Sequence, residues 1–380
     1  MITTSKSPSV EPSSMPLDEL NLRLLSKLCS GQGLSINLSY LAKRLRRHRN
    51  TVRERVRDLT VHGVIDRPIF PFLALFRERS LLVAAYADLP DSEQVQEWLK
   101  EDASIFAAFR IREGEYNMML FELHKNLWGY HTWREAIVKE GKIPVRAERI
   151  PSTAIYLSNV LMEKYDPSAA VQLIKQGFLE KTTTEINGCE LDELSLNVLT
   201  CLTSGEGISV NENLLAKELG VHRRTVSDRI RKLIDAEVLF RPVCRFPSFF
   251  VPPNFLLVFS LLEVRKSYDQ FMHDIHSDPH ISLAYRISEG RYNLLLFEAH
   301  LSLEDYLRWE SFYNARHPGC FGSIKNTYLT PRMTISIDQQ KVSLGVIDER
   351  LEELRESNQQ ITRRTSNAYL RRSGRLKRQR

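Results

Sequence analysis

The chain repeats itself. The stretch LLAKELGVHRRTVSDRIRKLIDAEVL at 214–239 has a looser copy, YLAKRLRRHRNTVRERVRDLTVHGVI, at 40–65, and LDEL at 17–20 recurs at 191–194, an offset of 174. About half of the aligned positions through Pro68 and Pro242 are identical. Further on, RIREGEYNMMLFELH at 110–124 matches RISEGRYNLLLFEAH at 286–300 at an offset of 176, so the second copy has gained two residues in between. Such a period is too long for a stacked solenoid unit and points to duplication of a whole module. The 380 residues suit two to four domains, so each copy has enough chain to bury cores of its own.

A content of 42% hydrophobic and 26% charged residues fits a globular protein. No apolar run approaches the roughly 20 residues that span a bilayer. The opening MITTSKSPSVEPSSMP lacks the apolar centre of a secretory signal. A cytoplasmic protein without a membrane partner is expected. Cys29, Cys189, Cys201, Cys244 and Cys320 are scattered and include no CxxC pair, so reduced thiols are expected, with neither a disulfide framework nor a metal site.

Charge is unevenly placed. Of the net +6, residues 361–380 hold eight Arg or Lys and no acid, so the other 360 residues sum to −2. Residues 41–57 carry eight basic side chains against Glu54 alone, and 215–232 carry six against Glu218 and Asp228. Basic charge thus gathers in the two copies of the first motif and in the tail, as expected of a protein that meets a polyanion.

In the second copy Leu194, Val198, Leu199 and Leu202 recur at helical spacing, until Gly205 and Gly207 break the pattern. A second helix is expected from about Glu212 to Leu219, ended by Gly220, and a third from about Arg223 to Ala236 with Val226, Ile230 and Leu233 on one face. Stepping about 100° per residue from Val226 puts Arg224, Ser227, Asp228 and Arg231 on the opposite, wet face. A small Ala216, a glycine four residues on and a valine six beyond that are similar to a helix-turn-helix. A lone helical hairpin with a solvated basic face is the alternative, and two basic occurrences weigh against it.

A third helix of this kind enters the major groove of double-stranded DNA while basic side chains around it hold phosphates. The candidates are Arg49, Asn50, Arg53, Glu54 and Arg57 in the first copy, and Arg223, Arg224, Ser227, Asp228 and Arg231 in the second. Arg favours guanine, Asn favours adenine, and Glu or Asp can accept from cytosine, so two related but unequal half-sites are expected. His48 and His222 at the helix starts suit backbone contacts. Arg46 stands where the second copy has Gly220, so the first turn must differ or carry strain.

After the third helices, RPIFPF and RPVCRFPSFFVPP read as extended connectors. SLLVAAYADL and NFLLVFSLLEV read as buried strands, each followed by a helix, 91–102 and about 267–277. A hairpin comes next, turning at Glu113-Gly114 or Glu289-Gly290. A helix with Trp133 or Trp309 and a last strand complete a β-α-β-β-α-β order. The expected fold class is α+β: two helix-turn-helix, winged-helix-like domains alternating with two ferredoxin-like βαββαβ sandwiches. The expected division is 1–16 disordered, 17–68 and 191–242 helix-turn-helix, 69–157 and 243–336 ferredoxin-like, and 158–190 linker. A C-terminal helix at 337–360 and a disordered basic tail at 361–380 complete it.

This arrangement, with EGEYNMMLFE and EGRYNLLLFE in the hairpins, resembles the Lrp/AsnC family of prokaryotic transcription regulators over about 17–157 and 191–332. Asn117 and Asn293 depart from the family's acidic hairpin position, which puts any ligand contact by that carboxylate in doubt. The resemblance implies DNA binding, pairing through the sandwich domains, a small effector such as an amino acid, and in some relatives larger homo-oligomers. With both modules in one chain, an internal pseudo-dimer is expected, whose linkage makes the second binding event intramolecular.

Glu122 with His124, and Glu298 with His300, share a face of the hairpin's second strand and are expected to be partly exposed pairs, since two ligands make a weak metal case. Trp133, Trp309, Tyr116 and Tyr292 read as core or interface aromatics. No P-loop, GxGxxG, nucleophile elbow or HExxH is present, so no catalytic residue, cofactor or metal is assigned and a non-enzymatic regulator is expected. The alternative is a haem-pathway (siroheme) decarboxylase-like enzyme, since some such enzymes resemble this family in fold. Retained arginines on both outward helix faces favour DNA.

Overall fold

The computed structural model describes residues 17–29, 38–65, 78–113, 116–139, 153–156, 162–166, 168–180, 185–204, 212–239, 254–287, 290–329, 334–335 and 341–376. The proline connectors around Pro68 and Pro242, Gly205 and Gly207, the turn residues Gly114 and Glu289, and the segment 1–16 lie outside them.

Three helices open the first half, α1 (Glu19–Cys29), α2 (Leu38–Leu45) and α3 (Arg49–Val61). Their apolar stripes, among them Leu25, Leu41, Val52 and Leu59, close on one core. Then come β1 (Leu81–Ala87), α4 (Glu93–Glu101), β2 (Ile105–Glu113), β3 (Tyr116–His124), α5 (Leu127–Lys139) and β4 (Thr153–Tyr156). The expected linker holds β5 (Met162–Tyr165) and the amphipathic α6 (Ala169–Leu179), followed by a small ribbon of β6 (Glu185–Ile186) and β7 (Cys189–Glu190).

The second half repeats the order with α7 (Glu193–Ser204), α8 (Glu212–Glu218) and α9 (Arg223–Asp235). It continues with β8 (Leu256–Val264), α10 (Tyr268–Ser277), β9 (Ile281–Arg286), β10 (Leu294–His300), α11 (Leu303–Arg316) and β11 (Phe321–Leu329). Two further elements follow, β12 (Thr334–Ile335) and α12 (Lys341–Leu376).

The sheets run β2-β3-β1-β4 and β9-β10-β8-β11, antiparallel throughout, which is the strand order of a ferredoxin-like sandwich. The chain is therefore α+β as expected. Each sheet also gains a fifth strand from the other half. β12 pairs with β2, placing Thr334 opposite Phe109, and β5 pairs with β9, placing Tyr165 opposite Leu283.

Side chains alternate across each sheet because successive Cβ atoms point to opposite faces. On β3, Met118 and Leu120 face the helices of their own half, whereas Met119, Phe121 and Leu123 join Phe259, Leu261, Leu295 and Phe297 in a core between the two sheets. Burying a phenylalanine fully is worth about 1.5–3 kcal/mol, so this face-to-face contact is a main source of cohesion. Tyr86 and Thr327 share a hydrogen bond of 2.6 Å across it.

The C-terminal segments cross over as well. Val346, Ile347 and Leu351 of α12 complete the core under α1, and α6 packs on α7 and β9 with Ala170, Val171 and Ile174 buried. Each helix-turn-helix is thus held by the segment that follows the opposite sandwich. The basic tail expected to be unfolded corrects to helix as far as Leu376. Once a packed turn exists, helix propagation adds one hydrogen bond per residue ordered, so a helix nucleated against α1 extends through the residues that follow.

Arg46 takes a left-handed φ of 51°, matching Gly220 at 64°. The two turns have the same shape, and strain is the branch of the expectation that holds. The trade is reversed one helix later, where Gly63 (φ 65°) corresponds to Glu237 (φ 55°).

Candidate functional sites

The two third helices are built alike. His48 Nδ1 accepts from Asn50 N at 3.3 Å and His222 Nδ1 from Arg224 N at 3.2 Å, so each histidine caps its own helix. Arg55 pairs with Asp18 at 2.9 Å and Arg229 with Asp192 at 2.5 Å, tying each third helix to the start of the first. Those two arginines are consumed by the fold. With Val52 and Val226 fully buried, the opposite faces turn outward.

Arg49, Asn50, Arg53, Glu54 and Arg57 are all exposed, as are Arg223, Arg224, Asp228 and Arg231, while Ser227 is half-buried. Arg223 Nε lies 3.0 Å from Glu212 Oε2, and Ser227 Oγ donates to Glu212 Oε1 at 3.3 Å. The first half has Leu38 at the position of Glu212, so Arg49 lacks this tether. Arg57 lies 3.6 Å from Asp58 and Arg231 3.9 Å from Asp228. Exposed pairs of this kind are worth little and leave both guanidiniums able to meet a phosphate or base.

Asn117 and Asn293 each clamp the end of a neighbouring strand. Asn117 accepts from Leu89 N at 2.9 Å and donates to Leu89 O at 2.7 Å, and Asn293 does the same with Val264 at 2.8 and 2.7 Å. A carboxylate could only accept. Their departure from an acidic residue thus has a structural reason. Tyr116 and Tyr292 pack against the inter-sheet core, as expected of interface aromatics.

The paired acid and histidine on β3 and β10 correct the expectation of partial exposure. Glu122 is 1% and His124 3% exposed, and Glu298 and His300 are both 0%. They sit on the helix-facing side of each sheet, beneath α5 and α11, where Tyr130 and Trp133 or Tyr306 and Trp309 cover them. Alternation put each pair on one face, but strand position alone did not say that a helix would roof it. The acid and imidazole are 3.2 Å apart in the first half and 3.1 Å in the second. Burial pushes Glu298 up and His300 down, so both favour their uncharged forms.

The second half adds three ionisable residues that local patterning missed. Asp278 Oδ1 accepts from His280 Nδ1 at 2.8 Å, and its Oδ2 accepts from Trp309 Nε1 at 2.6 Å and Tyr313 Oη at 2.8 Å. Burial would raise this carboxyl, but the hydrogen bonds and charge of His280 outweigh it and bring Asp278 to about 2. Asp305 Oδ2 lies 3.8 Å from His280 Nε2 and 3.9 Å from His300 Nδ1. Asp278, His280 and Asp305 open onto a cleft of about 520 Å³ rimmed by Arg308, Phe312 and Arg316.

The first half diverges at these positions. Asp102 matches Asp278 and accepts from Trp133 Nε1 at 2.9 Å, but Ser104 stands for His280 and Gly129 for Asp305. Arg79, in the place of Phe255, donates to Ser104 Oγ at 3.2 Å and is 7% exposed. Aligning the two halves of the sequence at the 176-residue offset would have exposed the gain of His280 and Asp305.

No family model and no curated protein matches the sequence. Among solved structures, the siroheme decarboxylase NirDL matches 87% of this chain and 99% of its own, at 14% identity and a TM-score of 0.36. The AsnC family transcriptional regulator from Agrobacterium tumefaciens matches 36% of this chain and 89% of its own, at 18% identity and a TM-score of 0.20. AsnC of E. coli matches 37% and 93%, at 18% identity and a TM-score of 0.19. The chain is thus similar to regulators over about a third of its length and to an enzyme over most of it.

The expectation of a protein without enzymatic activity is corrected by that comparison, since the structures matched over most of the chain are of a decarboxylase. Missing local motifs speak only for catalytic centres that have a local signature. The buried ionisable groups found here come from β10, the β9 approach and the start of α11. No described helix is long and apolar enough to cross a membrane.

Proposed function

We propose that the chain binds double-stranded DNA sequence-specifically as a transcription regulator, with α3 and α9 as its two reading helices. One observation carries this reading: both third helices bury a valine and turn an arginine-rich face to solvent. Guanidiniums at Arg53, Arg57, Arg224 and Arg231 suit guanine edges and phosphates, and Asn50 suits adenine. Because the outward residues differ between the copies, the two half-sites are related and unequal.

The test is a titration of the full chain on genomic fragments at several salt concentrations. The slope of log affinity against log salt should fall by about 0.9 for every phosphate neutralised. A salt-independent affinity, or equal affinity for selected and scrambled duplexes, would end this reading.

A second reading, a decarboxylase-like enzyme acting on a tetrapyrrole, is favoured by a different observation. The second half places buried Glu298 and His300 beside a cleft with two arginines at its rim, an environment suited to proton transfer on an anionic substrate. Siroheme added to the purified protein, with its absorption spectrum followed, tests this. An unshifted spectrum at all concentrations removes it.

A further inference from the structure

We propose that the second half binds one divalent transition-metal ion, zinc in the first instance, through His280 Nε2, His300 Nδ1 and Asp305 Oδ2, with its remaining coordination open to the cleft. The three ligand atoms lie within 4.8 Å of one another, and both imidazoles converge on the same carboxylate oxygen. Two nitrogens and one oxygen are the donors that borderline ions such as zinc take up, with a fourth position left for water or substrate.

The far nitrogens carry the second part of the case. His280 Nδ1 is held by Asp278 at 2.8 Å and His300 Nε2 by Glu298 at 3.1 Å. Metal-bound histidines characteristically give their other nitrogen to a carboxylate, which fixes the tautomer and aims the free lone pair. Here two histidines are oriented toward one point, His280 by the Asp278 carboxylate and His300 by the uncharged Glu298 carboxyl, whose carbonyl oxygen can accept from Nε2–H. The rings lie nearly parallel, with centroids 4.8 Å apart.

An independent observation is that His300 is fully buried, yet its Nδ1 has no hydrogen-bond partner among the described residues. A buried polar atom left alone is costly, and a cation in front of it would remove the cost. The first half shows how the chain otherwise supplies positive charge. There Ser104 and Gly129 stand at the positions of His280 and Asp305, so among the described residues His124 lacks those two neighbours, and the buried Arg79 approaches Ser104. The second half has Phe255 where Arg79 stands, so ligands were gained in the half that lacks the fixed cation.

Metal bonds of about 2.0–2.1 Å require the ligand atoms to draw closer together than they are now. Asp305, with its side chain 27% exposed at the start of α11, and His280, 20% exposed, are the two that can move.

The site is independent of DNA binding and is tested separately. Full-length protein stripped with a chelator is titrated with Zn²⁺ against a chromophoric competitor and, in parallel, with Co²⁺ followed by visible absorption. One ion per chain and the bands of tetrahedral cobalt are expected. His280→Ser and Asp305→Gly, which install the first half's own residues, should each abolish the cobalt bands. Asp278→Asn should weaken zinc by about 10- to 100-fold. His124→Gln, in the other half, should leave both readouts unchanged, and the His280 and Asp305 variants should keep wild-type DNA affinity and far-ultraviolet circular dichroism. Absence of a one-per-chain site, or binding that survives both ligand substitutions in folded protein, would overturn the proposal.

Discussion

Phe121 and Phe297 occupy equivalent positions in the two halves, and their rings meet with centroids 5.4 Å apart. A residue in contact with its own counterpart marks an isologous interface, here closed within one chain. Phe259 completes the cluster, 5.0 Å from Phe121 and 5.2 Å from Phe297. Because β5 and β12 also cross between the sheets, neither half owns a complete core.

Truncating this contact should destabilise both halves together. Phe121→Ala is expected to cost about 3–5 kcal/mol, read as a lower urea midpoint. Fluorescence of tryptophans in either half should report the same single transition. Two separated transitions, with the second half unfolding at its wild-type midpoint, would show that the halves are energetically independent.

The left-handed turn at Arg46 stores strain that glycine would not. Arg46→Gly should raise stability by about 0.5–1 kcal/mol, because the side chain's steric cost in this region exceeds glycine's added chain entropy. Gly220→Ala should lose a similar amount, although no atom lies within 4 Å of the added Cβ. Thermal melts of the two variants should shift in opposite directions, and shifts of the same sign would contradict this account of the turns.

Much of the frame was legible before any coordinates. The helix-turn-helix units are spelled out by Val52, Val226 and their neighbours at helical spacing, and the sandwich by strands whose apolar runs are separated by helices. The exchanged strands were not legible. Thr334 and Ile335 find their partners, Phe109 and Ala108, more than 200 positions away, and no local pattern encodes that. The cluster around His300 was hidden for a related reason. Its members become neighbours only after β9, β10 and α11 assemble, and Glu298 and His300 looked like the wet end of a strand until α11 covered them.

Acid should weaken the fold through His124. Burial, reinforced by the charge of Arg79, holds this imidazole down to about 3, while an unfolded histidine titrates near 6.5. With the folded pKa depressed, the unfolded chain binds the proton first. The contribution is whole above pH 6.5 and is lost as pH falls below it, by up to about 1.4 kcal/mol per pH unit. In the second half the raised Glu298 takes up a proton on folding and opposes the lowered His300 between about pH 4.5 and 6.5, so those two slopes offset each other. Urea midpoints of wild type and His124→Gln measured between pH 8 and 5 should converge toward acid. Parallel curves would remove His124 as the cause.

The reading face of the second helix-turn-helix is open to direct test. Arg224→Ala together with Arg231→Ala should weaken specific binding by a few kcal/mol, since one good base contact is worth about 1–3 kcal/mol. Protection should be lost at one half-site and kept at the other, because Arg53 and Arg57 are untouched. An unchanged footprint would show that α9 does not read bases.

The first helix-turn-helix depends on a helix about 300 residues away in sequence. Ile347 is fully buried among Leu22, Leu25 and Leu28, and the same helix is anchored by Glu349, whose carboxylate takes Arg79 Nη2 at 2.7 Å and Lys125 Nζ at 3.1 Å. Ile347→Ala removes apolar volume without touching any outward arginine and should cost about 2–5 kcal/mol of local stability. The α1 to α3 unit would loosen while α7 to α9, held by α6 instead, would not. Amide hydrogen exchange should therefore quicken in 19–61 and stay at wild-type rates in 193–235. DNA protection should fade at the half-site assigned to Arg53 and Arg57. Equal quickening in both units would mean that the crossed-over helices stabilise the whole molecule and not one reading head each.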